Sequence, residues 1–351
     1  MKALLIEILS DRTAHLRRRA IALGGLLVAA NLLAWLWALL AFHAHPLLLG
    51  TAAAAYGLGL RHAVDADHIA AIDNVSRKLM QDGRRPLAAG LFFSLGHSTV
   101  VLLLTLGIAL TTKSLATDLL PLRDVLGRVG VSISALFLFA IAAANGVVFI
   151  SVYRNFTALR RGERIAPAAL EHLLKGGGLI ARLCWRLFER IRHSWQMYPL
   201  GLLFGLGFDT ASEVGLLAIS ALESSKGMPV VDALVFPVLF LAGMSLIDTV
   251  DGMLMLGAYG WAFVKPVRKL YYNMTMTLIS VLVAVLVGGI EVLGLIGREL
   301  QLQGASWTWL YLVNDHFGLL GYSIIAVFVL SWLGSIAIYR MRGYDVIDIT
   351  T

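Results

Sequence analysis

The chain has a single cysteine, Cys184, in 351 residues. That excludes an intrachain disulfide framework and a cysteine-based metal cluster. Charge is scarce as well: Asp, Glu, Lys and Arg make up 15% of the residues, against roughly 25% in an ordinary globular domain. Hydrophobic residues make up 58%, and the mean hydropathy is +0.79. A soluble domain has no interior large enough to hide so much apolar surface, so the composition points to an integral membrane protein. Catalytic signatures are missing too. There is no GxxxxGK[ST] loop, so no ATPase is built into the chain. There is no HExxH, which an intramembrane metalloenzyme would use to hold zinc and a general base on one helix. The chain is read as a non-enzyme with no resident cofactor. It also lacks the long His-rich loop that some metal exporters carry.

What the sequence does contain is eight apolar stretches of spanning length, about 20 residues for a hydrocarbon layer of about 30 Å. They cover 20–42, 46–73, 87–111, 129–153, 199–222, 232–258, 273–297 and 317–340. The first is too long for the apolar core of a signal peptide and is read as a retained helix. The expected fold is therefore a single all-α polytopic membrane domain with eight transmembrane helices. The net charge of +7 could indicate a nucleic-acid partner, but its distribution indicates topology instead. Of the 29 Lys and Arg residues, 23 fall in the N-terminus, the 74–86 turn, the 154–198 connection, the 259–272 turn and the C-terminus. Five lie in the alternate loops, and Arg61 alone is inside a span. The positive-inside rule puts both termini in the cytoplasm. The connection 154–198 is then a basic cytoplasmic loop, and its segment "LIARLCWRLFERIRHSW" reads as an amphipathic helix on the anionic inner leaflet. The expected partners are the lipid bilayer and a small ion, with no nucleic acid.

Ionisable groups inside spans are costly, and they face a cavity, a partner or a substrate path. Here they concentrate in four spans. Span two contains "LRHAVDADHIAAIDN" (60–74), with Arg61, His62, Asp65, Asp67, His68 and Asp73. Span three has His97 in "SLGHS". Span five has Asp209 and Glu213, four apart and so on one helix face, and span six has Asp248 and Asp251, three apart. Spans one, four and eight carry no interior acid, and span seven has Glu291 near an end. Imidazole with carboxylate suits a borderline divalent ion of the first transition row, such as nickel, cobalt or zinc. The candidate metal ligands are His62, Asp65, Asp67, His68, His97, Asp209, Glu213, Asp248 and Asp251.

A straight helix cannot aim all of span two's groups at one ion. At about 100° per residue, with Arg61 at 0°, His62 falls near about 100°, Asp65 near about 40°, His68 near about 340° and Asp67 near about 240°. Either Asp67 packs elsewhere or the helix is unwound between 62 and 68, as transporter helices are at their sites. Arg61 is expected to pair with Asp65 or with a carboxylate of span five or six. His43 and His45 in "FHAHP" could gather metal at the outer side or form an ordinary loop.

The chain also echoes itself. "GLGLRHAVD" from Gly57 matches "GLGFDTASE" from Gly205, and "LFFSLGHS" matches "LFLAGMS", with Gly96 against Gly243. Spans two and five run in opposite directions in the topology above. An inverted repeat relating spans 2–3 to spans 5–6 is therefore expected, the pattern of a secondary transporter with its site near the midplane.

These residues resemble the nickel/cobalt transporter (NiCoT) family, whose second transmembrane helix carries an H-x4-D-H pattern. Here that pattern is His62, Asp67 and His68. Three further family motifs are matched in order: "FFSLGHSTVV", "LGFDTASEV" and "GMSLIDTVDG". The resemblance covers nearly the whole chain. It implies uptake of Ni2+ or Co2+ across the bacterial cytoplasmic membrane, the ion being cargo rather than cofactor. Its emphasis on Asp67 favours a locally broken helix. Efflux of the same ions is the alternative, because direction cannot be read from residues.

Overall fold

The computed structural model describes residue 11 and residues 15–110, 113–160, 191–206, 211–262 and 266–341. Every regular element among them is helical: α1 (Leu16–Phe42), α2 (Pro46–His62), α3 (Ala66–Gln81), α4 (Ala89–Leu110), α5 (Lys113–Arg160), α6 (Met197–Phe204), α7 (Ala211–Ser225), α8 (Val230–Ala233), α9 (Val235–Ala262), α10 (Pro266–Glu299), α11 (Ala305–Asp315) and α12 (Phe317–Met341). A 3-10 turn, Ser194–Gln196, leads into α6. The central part of the connection 154–198, including most of its expected surface helix, lies outside the described residues.

Five helical segments are long and apolar enough to cross a membrane: Leu16–Phe42, Ala89–Leu110, Arg128–Val147, Val230–Gly257 and Thr277–Glu299. A sixth arises if α11 and α12, bent by 74° at their junction, count as one span. The remaining two expected spans are not single helices. Span 46–73 is divided into α2 and α3 by turn residues 63–65. Span 199–222 is divided into α6 and α7, with residues 207–210 between them undescribed. Each half is too short to cross the hydrocarbon layer alone.

The first division has a local cause. Asp65 occupies the N-cap position of α3 with extended backbone (φ −64, ψ 145), the geometry and residue type that start a helix. Its side chain makes no cap bond; it is committed to His62 instead. The turn is seated against α12: a Cβ on Gly321 would collide with the Val64 carbonyl. Only a glycine lets the last helix approach that backbone so closely.

The halves α2 and α6 pack in matching ways. In α2, Tyr56, Gly59 and Leu60 meet Phe240 and Gly243 of α9. In α6, Tyr198, Gly201 and Leu202 meet Phe93 and Gly96 of α4. At all four glycines a Cβ would be driven into the facing backbone. "YGLGL" and "YPLGL" thus make the same contact with an F-x-x-G segment of a through-going helix. The register differs from the sequence match, which set Gly57 opposite Gly205; the packing sets Gly59 opposite Gly201.

The two ends of the bundle differ in charge. At one end Arg85 N–H donates to the Asp11 carbonyl (3.0 Å), Ser194 N–H to Asp11 Oδ2 (2.9 Å), and Lys78 Nζ to the Ile191 carbonyl. Arg84 Nη1 lies 2.8 Å from His193 Nδ1. The N-terminal segment, the 74–86 turn and the end of the long connection therefore share one side. At the other end, exposed pairs join Arg128 to Glu299 and Arg298 to Asp315, both at 3.1 Å.

Candidate metal centre

Three imidazoles meet where α2 ends and α3 begins. His62 is the last residue of α2, His68 lies in the first turn of α3, and His97 projects from the middle of α4. Their ring centroids are 4.5, 4.7 and 4.9 Å apart, and one ring nitrogen from each lies within 4.8 Å of the others. All three are buried, as is Glu213 from the first turn of α7. His97 Nε2 is 2.9 Å from His62 Nε2 and 2.9 Å from Glu213 Oε1, which is in turn 3.8 Å from His62 Nε2. A first-row ion takes imidazole at about 2.1 Å. Two such ligands at right angles would stand about 3.0 Å apart, so these separations fit donors converging on one point.

The far sides of two rings are held by acids. His62 Nδ1–H donates to Asp65 Oδ2 at 2.8 Å, which aims Nε2 at the centre. His68 Nδ1 faces Asp248 Oδ1 at 3.4 Å, and Asp248 Oδ2 accepts the Ser94 hydroxyl at 2.6 Å. His68 Nε2 is buried without a hydrogen-bond partner, as is His97 Nδ1. Carboxylates behind metal-binding imidazoles fix the tautomer and raise ligand basicity. The donor set could therefore hold a divalent ion of the nickel, cobalt or zinc kind.

The division of span two settles which way its groups point. A three-residue turn between His62 and His68 replaces the continuous helix, so both rings can enter the same space. Asp65 and Asp248 stand behind the rings, not at the point of convergence. Asp67, half-buried in the first turn of α3, is outside the three-histidine group; its Oδ1 is buried and unpartnered, and its charge acts on His62, His68 and Asp65. Asp251 lies further along α9, where Asp73 and Asp248 are its electrostatic neighbours. Asp209 falls outside the described residues. The expected ion pair of Arg61 is not found among the described residues. Its side chain is exposed and passes beside Gly318 and Asp65. His43 is exposed and its Nδ1 bonds the Leu40 carbonyl, an ordinary helix end. Sequence reasoning did not single out Ser94 or Ser280, whose hydroxyls hold Asp248 and Asp73. Small hydroxyl residues are common in membrane helices and gave no signal.

Residues 48–338 match the profile of the NicO family, described as high-affinity nickel-transport protein. A high-affinity nickel transport protein of Cupriavidus necator is 54% identical over 345 residues, covering 98% of both chains. The nickel transporter NicT of Mycobacterium tuberculosis is 46% identical, covering 90% of this chain and 87% of its own. The cobalt transport protein NhlF of Rhodococcus rhodochrous is 39% identical, covering 84% of each. No solved structure matches the chain.

Proposed function

The chain belongs to the NicO family of high-affinity nickel-transport proteins, and on that premise we propose that it is a secondary transporter taking Ni2+ or Co2+ into the cell across the bacterial cytoplasmic membrane. The observation that carries this reading is the trio of buried imidazoles, two of them backed by carboxylates, beside Glu213 at the division of span two. In this reading His62, His68 and His97 bind through Nε2, and Glu213 supplies an oxygen and negative charge. Asp65 and Asp248 orient rings, and Asp67 adds to the field that favours a cation. Asp209 belongs to the same set by its place in the span-five motif.

Eight spans with both termini and the basic loop in the cytoplasm fit the charge distribution, if each divided pair crosses once. The paired contacts of α2 on α9 and of α6 on α4 support an inverted repeat relating spans 2–3 to spans 5–6. In such folds, one half moves against the other around a fixed midplane site. The membrane potential favours inward movement by about 2.3 kcal/mol per charge per 100 mV, doubled for a divalent ion, so no ATP is needed.

Radiolabelled nickel and cobalt uptake in expressing cells tests the proposal. His62→Ala and His68→Ala should abolish accumulation while membrane insertion is retained. Uptake with an unchanged KM in either variant would overturn the ligand assignment. Lower accumulation in cells expressing the wild-type chain than in cells without it would reverse the direction to efflux.

A further inference from the structure

Two phenylalanines bracket the imidazole cluster along the bundle axis. On α4, Phe93 comes one turn before His97, about 6 Å toward the end of the bundle that carries Arg84 and Arg85. On α9, Phe240 comes about 12 Å before Asp248, the acid that faces His68. It lies toward the opposite end of the bundle, where Phe236, one turn earlier, stacks on Phe42, the last residue of α1. The Phe93 ring meets His68 edge-on, with centroids 4.8 Å apart, and lies 6.3 Å from His97. The Phe240 ring lies 5.5 Å from His62. Both phenylalanines are fully buried, and the three histidines are at most 2% exposed.

Each phenylalanine is backed by more aromatic rings on its own side. Phe42 and Phe236 stand behind Phe240, their centroids 5.5 Å apart. Phe204, the last residue of α6, meets Phe93 edge-on at 5.3 Å, and Phe137 of α5 meets Phe204 at 5.8 Å. An ion leaving the imidazoles along the bundle axis therefore meets a phenyl ring in either direction. A hydrocarbon constriction bars an ion by excluding its water. The two rings also occupy equivalent places in the fold. Each opens an F-x-x-G segment, and each has its backbone against a glycine of a leading half-span: Phe240 on Gly59 of α2, Phe93 on Gly201 of α6.

We propose that Phe240 and Phe93 are the outer and inner gates of the ion path, and that the structure holds both of them closed. The inference rests on the reading of the imidazole cluster as the ion site. Phe240 leaving His62 opens the cluster to the outside while Phe93 stays on His68, and the reverse opens it to the cytoplasm. Alternating access needs one of the two shut at any moment. Each gate travels with the half-span on which it is seated, α2 for the outer and α6 for the inner, because the glycine contacts leave the facing backbones no room to slip. Each ring also lies against an imidazole, so an imidazole turning toward an ion changes the surface on which its gate closes.

Thiol labelling of the full-length chain reads the gates without nickel. The reporter is His97→Cys in a Cys184→Ser background, which leaves the chain's one thiol at the cluster. A membrane-impermeant maleimide should label this reporter slowly in both right-side-out and inside-out vesicles. Adding Phe240→Ala should raise the rate at least tenfold in right-side-out vesicles alone, and adding Phe93→Ala should do so in inside-out vesicles alone. Phe240→Leu and Phe93→Leu should give smaller changes of the same sidedness, and they decide the matter if an alanine variant loses its size-exclusion profile. In the chain with its histidines intact, both leucine variants should bind Ni2+ in detergent within about threefold of wild type. Rapid labelling of the reporter alone, opening toward the same side by both phenylalanines, or rates unmoved in every variant would overturn the gates. A loss of nickel affinity beyond tenfold in a leucine variant would do so too, by making that ring part of the binding site. Wild-type protein that binds no Ni2+ would instead overturn the carrier reading, with the labelling still deciding whether the two rings close the cluster.

Discussion

In the first divided span the two halves meet at residues 63–65 and bring His62, Asp65, Asp67 and His68 within seven positions of one another. In the second, the described residues of the two halves contribute Glu213 alone. Yet the leading halves, α2 and α6, seat on their partners through the same Tyr, Gly and Leu positions against the same F-x-x-G surface. Packing and chemistry are therefore separable here. Close helix contacts depend on small residues at a fixed spacing and little else, so both halves could keep them while their functional groups diverged.

The largest expected effect tests the shared part. Gly59→Val and Gly201→Val each drive a side chain into a facing backbone carbonyl, which cannot move aside as a side chain would. Each should cost about 3 kcal/mol or more and sharply reduce folded protein recovered in detergent, measured by size-exclusion profile and melting temperature. Tolerance of one but not the other would break the equivalence of the two contacts.

Next comes the chemistry that the second span supplies. Glu213→Gln keeps the shape but removes the charge facing His97. Nickel affinity should fall by about 100-fold, measured by uptake KM, while the melting temperature stays near that of wild type. An unchanged KM would place the whole site on spans two and three. Smaller effects are expected behind the rings. Asp65→Asn still accepts from His62 Nδ1 but with less pull, and should weaken nickel binding about tenfold. Ser94→Ala removes one hydrogen bond to Asp248 and should cost about 1 kcal/mol, or about fivefold in affinity. If Ser94→Ala outweighed Asp65→Asn, the span-six side of the cluster would be the dominant one.

Much of this was legible beforehand. Membrane residence follows from composition, and the candidate site was expected where His62, His68 and His97 fall in otherwise apolar spans, the three histidines the structure brings together. The helical projection also showed that residues 62–68 could not all face one ion from a straight helix, and the turn at 63–65 supplies the bend. Less was legible about Asp65 and Asp248. Whether a carboxylate meets the ion or the back of a ring depends on side-chain directions across three helices, which spacing along one helix does not report. Arg61 was assigned a buried acid because a guanidinium in hydrocarbon is expensive; the exposed path it takes past Gly318 depends on how α12 packs. In the glycine echo Gly96 and Gly243 do make matching contacts, whereas the Gly57–Gly205 match stands six residues out of the register that the contacts use, because a short match around "GLG" cannot choose between registers.

Sequence alone determined that this chain lives in a membrane, which residues are too polar to be there without a purpose, and which type of ion suits them. Those follow from transfer free energies and donor chemistry, which belong to residues one at a time. Tertiary structure decided which of these groups converge and which stand behind. It also showed that the two apolar stretches of apparent spanning length are each built from two short helices, and that Phe240 rests against His62 and Phe93 against His68. Those are properties of relative position, fixed by the approach of α4, α9, α10 and α12 to the divided helix, and no residue carries them by itself.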